Sequence, residues 1–244
     1  MNPFDIGGKS ILITGSTSGI GFEMSKEFNK SGACLTLLGR DQKKIDRLEQ
    51  LLDNKLSTKF IKGDLNEDLD YIASQIDCLE GIVFNAGIVD YKPLKFIDET
   101  DFLKLFQTNY FSSIYLLKKL IKKRKINKSA SIVFISSLSS TIGIPGTLAY
   151  SASKASIDSS VKVLASELSK NKIRVNSIAP GIIQTPLLNN EIFNKEKYRL
   201  EEDKYPLGLG LPSDVVFSVQ FLLSDASRWI TGTTLDINGG YKLK

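Results

Sequence analysis

Short apolar runs, many of them rich in β-branched residues, alternate with longer amphipathic stretches along almost the whole chain. Seven such runs, each four or five residues long, are Ile11–Thr14, Leu35–Leu38, Thr58–Ile61, Gly81–Phe84, Ser131–Ile135, Arg174–Ile178 and Thr234–Ile237. Helical periodicity lies between them, over Gly19–Ser31, Lys43–Leu52, Thr100–Lys123, Tyr150–Ser169 and Ser213–Leu223. Buried strands joined through helices form right-handed crossovers, and the helices cover both faces of a parallel sheet. The sequence therefore predicts an α/β fold built on a doubly wound, seven-stranded parallel sheet.

No linker or shift in composition divides the 244 residues, so residues 1–244 are predicted to form a single domain. Pro186–Leu211 mixes apolar and charged side chains between a strand and the last helix, and we interpret it as a substrate lid. The chain starts with a polar lead, and no run approaches the roughly 18 apolar residues of a membrane-spanning helix. These features favour a cytoplasmic protein with no membrane partner.

Histidine is absent from the sequence. Its absence excludes Ser-His-Asp chemistry and removes both the usual general base at neutral pH and the commonest metal ligand. We therefore predict no metal site, and any catalysis must use Tyr, Lys, Asp, Glu, Ser or a cofactor.

A glycine-rich turn follows the first predicted strand and leads directly into the first helix. Glycines there permit a tight turn and a close backbone approach, and the helix N-terminus presents free N–H groups to a pyrophosphate. Because a strand precedes the turn and a helix follows it, the pattern predicts a dinucleotide site in a Rossmann-type domain. The predicted cofactor contacts in this turn are Gly15, Ser16, Thr17, Ser18, Gly19, Ile20 and Gly21.

The second predicted strand ends in Leu38-Gly39-Arg40-Asp41. In dinucleotide-binding sheets an acidic side chain at this end accepts a hydrogen bond from the ribose 2′-hydroxyl, whereas an arginine suits a 2′-phosphate. The Arg40 guanidinium can donate two hydrogen bonds to a phosphate, and the hydroxyls of Ser16 and Thr17 can add others. The sequence thus favours NADP, as NADPH, over NAD. The alternative is that Arg40 is a surface residue and Asp41 reaches the ribose.

Tyr150 and Lys154 stand four residues apart in a predicted helix. This spacing places the phenol and the ammonium on one helix face, where a nearby cation stabilises phenolate and lowers the tyrosine pKa. A Y-x-x-x-K pair is common, and on an arbitrary helix it is most often a surface pair. The surrounding motifs decide between these interpretations.

Further motifs follow in a fixed order along the chain. They are Asp64 after the third strand, Asn85-Ala86-Gly87 after the fourth, Asn109 in the next helix, Ser136-Ser137 after the fifth, Pro180-Gly181 with Thr185 after the sixth, and Ile230-Thr231-Gly232 through Gly239-Gly240 near the end. With the glycine turn and the Tyr150/Lys154 pair, this pattern resembles the short, single-domain branch of the short-chain dehydrogenase/reductases almost end to end.

The resemblance implies a role for each matching residue. Tyr150 would protonate a carbonyl oxygen while NADPH delivers hydride, and Ser137 would hold the carbonyl. Lys154 would bind the nicotinamide ribose and lower the tyrosine pKa, and Asn109 would fix a water that links Lys154 to solvent. Both Tyr150 and Lys154 would also contact the cofactor. The other implied cofactor contacts are Arg40, Asp64, Leu65, Asn85, Ala86, Gly87, Pro180, Gly181, Ile183 and Thr185.

Two residues depart from the family pattern. Phe84 stands where the family usually has a first Asn before Asn-Ala-Gly, and Ser140 stands where a Gly often follows the catalytic serine. The first change is expected to weaken a structural hydrogen bond and the second to alter the pocket wall. Neither removes a catalytic group.

The resemblance implies a small carbonyl or alcohol substrate and a homotetramer or homodimer. Chain length and the basic run described below look like 3-oxoacyl-carrier-protein reductases, whose substrates are carrier-linked. The substrate pocket is predicted to use Tyr91, Ile142, Leu148 and the Pro186–Leu211 segment. The alternatives are an NADP-binding regulator or scaffold without turnover, and a sugar or small-ketone dehydrogenase that uses NAD. Extended-branch epimerases need a longer C-terminal domain, and enoyl reductases have a wider tyrosine-to-lysine separation.

Positive charge is concentrated in one stretch, although the net charge of the chain is only +5. The residues are Lys118, Lys119, Lys122, Lys123, Arg124, Lys125 and Lys128. The plain interpretation is the solvated face and end of a helix, and the alternative is steering of an anionic substrate or an acidic carrier protein. No aromatic residues interleave with these cations, which argues against nucleic-acid binding.

Overall fold

The computed structural model describes residues 2–53, 57–185 and 201–241. Within them lies a seven-stranded sheet of order β3-β2-β1-β4-β5-β6-β7, in which every neighbouring pair is parallel. Its strands are β1 (Ser10–Thr14), β2 (Cys34–Gly39), β3 (Thr58–Lys62), β4 (Leu79–Phe84), β5 (Ile126–Ile135), β6 (Arg174–Pro180) and β7 (Thr234–Ile237). This arrangement confirms the predicted doubly wound, Rossmann-like fold.

Helices connect these strands and cover both faces of the sheet. They are α1 (Gly19–Lys30), α2 (Gln42–Glu49), α3 (Leu69–Gln75), α4 (Glu99–Phe106), α5 (Ser112–Lys122), α6 (Leu148–Leu168) and α7 (Pro212–Leu223). Short 3₁₀ turns span Leu94–Phe96, Leu138–Ser140, Ser169–Asn171 and Asp225–Ser227.

The alternation of side chains along each strand creates two hydrophobic cores. In β1, Leu12 joins the core under α3, α5 and α6, whereas Ile11 and Ile13 join the core under α1, α2 and α7. β5 repeats the pattern, with Phe134 on the first side and Val133 on the second. Because strands are apolar on both faces, both layers of helices are needed to bury them.

The chain reverses its direction across the sheet between β1 and β4. The first three strands build outward from β1, and the chain then returns to place β4 on the other side of β1. A crevice forms at such a switch point, beyond the carboxyl ends of the strands, and ligands bind there. We call this side the carboxyl end of the sheet and the opposite side the amino end.

Two helical features differ from the sequence-based expectation. Helix α3 was not predicted, because its seven residues bury only Ile72 and Ala73, too few to show a helical period. The single helix expected over Thr100–Lys123 is interrupted by a π-helical turn at Gln107–Phe111, which lies between α4 and α5. Such turns are mostly one-turn insertions within α-helices, and they are frequent at functional sites.

The basic run lies at the amino end of the sheet. It occupies the last turns of α5 and the start of β5, where the pairing with β4 shifts register after Leu79 and Ile126. Lys119 pairs with Asp70 at 2.6 Å, and Lys128 is exposed on the irregular part of β5. Since the crevice opens at the carboxyl end, this position favours a solvated surface over a role in steering substrate.

Among the residues described, no helix is both long and apolar enough to span a membrane.

Candidate active site

Two adjoining cavities open at the carboxyl end of the sheet and share Gly87. The first, which we call the adenosine-side cavity, lies beyond β1, β2 and β3. Its predicted residues are Gly15, Thr17, Ser18, Arg40, Asp64, Leu65, Ala86 and Gly87. The second, the reaction-side cavity, lies beyond β4, β5 and β6. Its predicted residues are Ile20, Asn85, Gly87, Ser137, Tyr150, Lys154, Pro180, Gly181, Ile183 and Thr185.

Two glycines of the turn after β1, Gly15 and Gly21, have no room for a side chain. Gly15 has a φ of +64°, and a Cβ there would lie 2.9 Å from Ala86 Cα. A Cβ on Gly21 would lie 2.2 Å from the carbonyl oxygen of Gly15. Any larger residue at Gly21 therefore pushes the turn and the first turn of α1 apart.

The start of α1 lacks a side-chain cap. Ser18 occupies the N-cap position, but its hydroxyl caps none of the N–H groups of the first turn. The first intrahelical bond runs from the Phe22 N–H to the Ser18 carbonyl, at 3.1 Å. Free N–H groups beside a glycine cradle fit a dinucleotide pyrophosphate.

Ser16 does not contribute a hydroxyl to the cavity, contrary to the sequence-based expectation. The residue is fully buried, and both its N–H and its hydroxyl donate to the Leu38 carbonyl at 3.1 Å. Ser16 thus ties the glycine turn to the end of β2. Thr17 does line the cavity, and a Cβ on Gly39 would meet its Cγ2 at 2.6 Å, so Gly39 admits Thr17.

Arg40 and Asp41 have different roles at the end of β2. The Arg40 guanidinium is largely exposed and donates to Asp64 Oδ2 at 3.1 Å across the mouth of the cavity. Asp41 caps α2, because its Oδ1 accepts the N–H groups of Lys43 and Lys44 at 2.9 and 3.3 Å. Asp41 is thus engaged at the helix through Oδ1, and both Asp41 and Arg40 line the adenosine-side cavity. Lys44, which was not predicted, lines the same cavity.

Asn85 holds the glycine turn against the end of β4. Its Nδ2 donates to the carbonyls of Thr14 and Gly15, both at 3.1 Å. In return, the backbone N–H groups of Asn85 and Ala86 donate to Thr14 Oγ1. These bonds join the two strands that flank the switch point and fix the floor shared by both cavities.

Lys154 is buried in the wall of the reaction-side cavity, with 4% of its surface exposed. Its Nζ donates to the Ile135 carbonyl at 2.7 Å. Burial lowers the pKa of Lys154 to about 8, an effect that the charge of Asp158, one turn later on α6, opposes. A buried ammonium of this kind is costly and is typical of functional sites.

Asn109 lies behind Lys154, in the π-helical turn. Its side chain makes a two-way pair with Ile88, since Oδ1 accepts the Ile88 N–H at 2.8 Å and Nδ2 donates to the Ile88 carbonyl at 3.0 Å. A Cβ added to Gly87 would lie 3.2 Å from Asn109 Oδ1 and 3.4 Å from Lys154 Nζ. The amide and the ammonium therefore converge on the backbone of Gly87, while Asn109 itself lines neither cavity.

Tyr150 and Ser137 face the same cavity as Lys154. Burial raises the pKa of Tyr150 above its ordinary value, whereas its hydrogen bond with Ser137 acts to lower it. The lowering by Lys154 that the sequence predicted is not present here. The pKa of Lys154, about 8, lies below that of Tyr150, so the amine has lost its charge before the phenol titrates, and its Nζ is turned to the Ile135 carbonyl. A raised pKa keeps the phenol protonated at neutral pH.

Tyr205 fixes the backbone that follows β6. Its hydroxyl accepts the Ile182 N–H at 3.0 Å, and a Cβ on Gly181 would meet its ring at 2.7 Å. Ile183 pairs with Gly210 in an isolated bridge. The segment that carries the implied cofactor contacts Ile183 and Thr185 is thus held by residues more than 20 positions later in the chain.

Comparison with known proteins identifies the family to which this chain belongs. A family model described as "Enoyl-(Acyl carrier protein) reductase" matches residues 15–242. A solved structure of a short chain dehydrogenase family protein from Francisella tularensis superposes with a TM-score of 0.84 at 31% identity, over 97% of this chain and all of that one. The chain belongs to the short-chain dehydrogenase/reductase family.

Curated relatives in this dehydrogenase/reductase family carry different names. The chain is 33% identical over 238 residues to a 3-oxoacyl-(acyl-carrier-protein) reductase from Rickettsia felis, which covers 97% of this chain and 98% of the relative. It is 32% identical to General stress protein 39 from Bacillus subtilis, over 96% of this chain and 84% of the relative. Membership makes the protein a carbonyl/alcohol oxidoreductase that uses a nicotinamide cofactor.

The two departures from the pattern of short-chain dehydrogenase/reductases have distinct structural consequences. Phe84 stacks on Phe134 of the neighbouring strand, with ring centroids 4.7 Å apart, so an aromatic contact stands where the family has a polar residue. Ser140 Oγ is buried and makes no hydrogen bond with any residue in the described ranges. Ser140 does not line the reaction-side cavity, so the predicted change in the pocket wall is not seen.

The lining of the reaction-side cavity corrects the predicted substrate pocket. Tyr91 lines it as predicted, but Ile142 and Leu148 do not, and Leu148 is 47% exposed. Tyr205, which belongs to the predicted Pro186–Leu211 segment, also lines it. The sequence did not indicate several further lining residues, namely Val89, Leu138, Ser139, Ile144, Thr147 and Ile182. Of the predicted lid, residues 186–200 lie outside the described residues.

Proposed function

We propose that this protein is an NADP(H)-dependent reductase that converts a carbonyl to an alcohol, with Tyr150 as the general acid. The observation that carries the proposal is the convergence of the Tyr150 phenol, the Ser137 hydroxyl and the buried Lys154 ammonium on one cavity next to a glycine cradle. NADPH, when bound, supplies the hydride.

The residues of the chain then handle the substrate oxygen. Ser137 donates a hydrogen bond to the carbonyl oxygen and orients it toward Tyr150. Tyr150 gives its proton to that oxygen as negative charge develops on it. Lys154 leaves the Ile135 carbonyl and holds the nicotinamide ribose. It also places positive charge near the phenolate that Tyr150 becomes. Asn109 keeps the backbone around Gly87 in place behind Lys154.

The preference for NADP rests on the end of β2. Arg40 is exposed at the mouth of the adenosine-side cavity, and Asp41, the residue that would reach the ribose in the alternative interpretation, caps α2. An arginine suits a 2′-phosphate, so NADPH is the proposed cofactor.

The proposed substrate is a 3-oxoacyl thioester, carried on an acyl carrier protein. The names of relatives such as the Rickettsia felis protein support this class, as does the apolar part of the reaction-side cavity, formed by Ile144, Ile182 and Ile183. Enoyl reduction, which the description of the family model names, is disfavoured because Tyr150 and Lys154 are only four residues apart. Assembly as a homotetramer or homodimer remains a prediction.

A substrate panel tests the proposal. Purified protein is mixed with NADPH or NADH and with acetoacetyl thioester, crotonyl thioester, a sugar ketone and a small ketone, and cofactor absorbance is followed. We expect the fastest loss of NADPH with the acetoacetyl thioester. NADPH binding without turnover of any carbonyl would instead support a regulator or scaffold, and faster turnover of the crotonyl thioester would identify an enoyl reductase.

A further inference from the structure

A second serine contacts the serine proposed to hold the substrate. Ser137 Oγ and Ser139 Oγ lie 2.7 Å apart, and the backbone N–H of Ser139 donates to the same Ser137 oxygen at 3.2 Å. Ser139 is buried, yet it lines the reaction-side cavity with Ser137 and Tyr150. The sequence motifs gave Ser139 no role.

The number of protons and lone pairs on each hydroxyl limits how this pair can be arranged. A serine hydroxyl has one proton to donate and accepts at most two hydrogen bonds. The Ser139 N–H already occupies one lone pair of Ser137 Oγ. If Ser137 donated to Ser139, its only proton would be unavailable to a substrate. If Ser139 donates to Ser137, both lone pairs of Ser137 are filled and its proton points into the cavity, where the Tyr150 oxygen or a bound carbonyl can accept it.

A carbonyl substrate selects the second arrangement. A carbonyl oxygen can only accept, so it pairs with Ser137 only when the proton of Ser137 points into the cavity. Ser139 Oγ makes no second hydrogen bond within the described residues, so its proton is free to turn toward Ser137. Accepting two bonds also polarises the Ser137 hydroxyl and strengthens the bond that it donates.

We infer that Ser139 is a positioning residue that donates its hydroxyl proton to Ser137 and so reserves the Ser137 proton for the substrate carbonyl. This inference rests on the proposed function. The local backbone supports it, because Ser137 is the N-cap of the 3₁₀ turn at Leu138–Ser140 and the Ser140 N–H donates to the Ser137 carbonyl at 2.9 Å. The turn therefore holds both hydroxyls in place before substrate arrives.

Ser140 provides a matched control in the same turn. Its hydroxyl is also buried, but it contacts neither Ser137 nor the cavity and has no hydrogen-bond partner in the described part of the chain. Changing Ser140 to Ala removes the same atom from the same turn without touching Ser137.

The experiment compares Ser139→Ala, Ser139→Thr and Ser140→Ala with the unaltered protein, using NADPH and the best carbonyl of the panel. For Ser139→Ala we expect kcat to fall about tenfold with KM within about twofold, as for an interaction that acts mainly in the transition state. Ser139→Thr retains a hydroxyl and should restore most of kcat, and Ser140→Ala should match the unaltered protein. The affinity for NADPH, read from its fluorescence, should be the same in all four proteins.

Three outcomes would overturn the inference. One is an unchanged kcat in Ser139→Ala, and another is an equal loss in Ser139→Ala and Ser140→Ala. The third is a lower Tm in Ser139→Ala together with failure of Ser139→Thr to restore kcat, since both are expected of a purely structural role. If the unaltered protein binds NADPH but reduces no carbonyl, the proposed function itself fails and the role of Ser139 fails with it.

Discussion

The two ends of the sheet carry polar side chains of opposite kinds. At the carboxyl end, Lys154 is buried at 4% exposure and Asn109 at 2%, and both are held by backbone carbonyls or N–H groups. At the amino end, the cations of the basic run point into water, and Lys119 forms a surface pair with Asp70. Buried, fixed groups act strongly on a bound molecule, whereas exposed charges are screened by salt. The basic run, which is the most conspicuous charged stretch of the sequence, therefore lies at the end of the sheet that contributes less to the proposed function.

The largest effect is expected from Tyr150→Phe at the carboxyl end. The change keeps the ring and removes the proton that we propose is donated to the carbonyl. We expect kcat to fall about 100- to 10,000-fold, with NADPH binding retained. The measurement is NADPH oxidation with the best carbonyl of the panel, alongside fluorescence titration of NADPH. A variant that keeps full rate would identify another acid and weaken the contrast between the two ends.

The next effect is a change of cofactor preference in Arg40→Asp, at the outer rim of the carboxyl end. The substitution replaces the guanidinium that we propose binds the 2′-phosphate with a carboxylate, next to Asp64. We expect the ratio of kcat/KM for NADPH to that for NADH to fall about 10- to 100-fold. Lys43→Asp is the control, because it makes the same charge change one helix position away from the cavity lining. If this NADPH-to-NADH ratio is the same in Arg40→Asp and Lys43→Asp, Arg40 does not bind the 2′-phosphate.

A third prediction concerns stability rather than rate. The pKa of Lys154 is lowered to about 8 from an ordinary 10.5. The unfolded chain therefore binds this proton more tightly than the folded protein does, which destabilises the fold at every pH where the unfolded chain carries the proton. The penalty is complete below about pH 8, shrinks as the pH rises toward 10.5 and vanishes above it. Lys154→Met should therefore raise the free energy of unfolding at pH 7 by up to about 3 kcal/mol, while abolishing turnover.

Urea unfolding of the cofactor-free protein at pH 7 and pH 10 checks the stability prediction. The gain should be smaller at pH 10 than at pH 7. Lys162→Met, an exposed lysine on the same helix, should change stability little at either pH. A loss of stability in Lys154→Met at pH 7 would show that its ammonium is not a burden to the fold.

The smallest effect is expected at the amino end. Replacing Lys122, Lys123 and Arg124 with Gln removes three exposed cations that lie opposite the crevice. Since these cations lie at the other end of the sheet from the crevice and exposed charges are screened by salt, KM for an anionic thioester should change less than about twofold. Kinetics at low and at physiological salt provide the measurement. A rise in KM that disappears at high salt would restore the steering interpretation and break the contrast between the two ends.

Much of the fold could be predicted because each strand has a recognisable pattern within its own few residues. All seven predicted strand segments fall within observed strands, since a run of buried β-branched residues is a short-range signal. Helix α3 and the π-helical turn around Asn109 carried no such signal. The first is too short for a period to show, and the second depends on bonds between Asn109 and Ile88, which are 21 positions apart.

The site was predicted less evenly. Glycines and cavity-lining side chains such as Arg40 and Lys154 belong to motifs, so residue order was enough to find them. Ser139 was missed because its role comes from contacts that no motif records. Tyr205 was predicted only as part of the lid segment, and its hydrogen bond with Ile182 could not be read from the sequence. Ser16 was assigned a ligand role from its position in the glycine turn, but the fold uses its hydroxyl to join the turn to β2.

The sequence by itself determined the alternation of strands and helices, the glycine turn and the Tyr150/Lys154 pair, because each depends on neighbours within a few residues. Only the tertiary structure decided which charges face the crevice and how each group is tuned. It placed the basic run at the amino end, engaged Asp41 in capping α2 and turned Lys154 toward Ile135. It also raised the pKa of Tyr150 by burial, where the sequence had predicted a lowering by Lys154. Burial and distance between side chains arise from packing across the whole chain, and local sequence does not encode them.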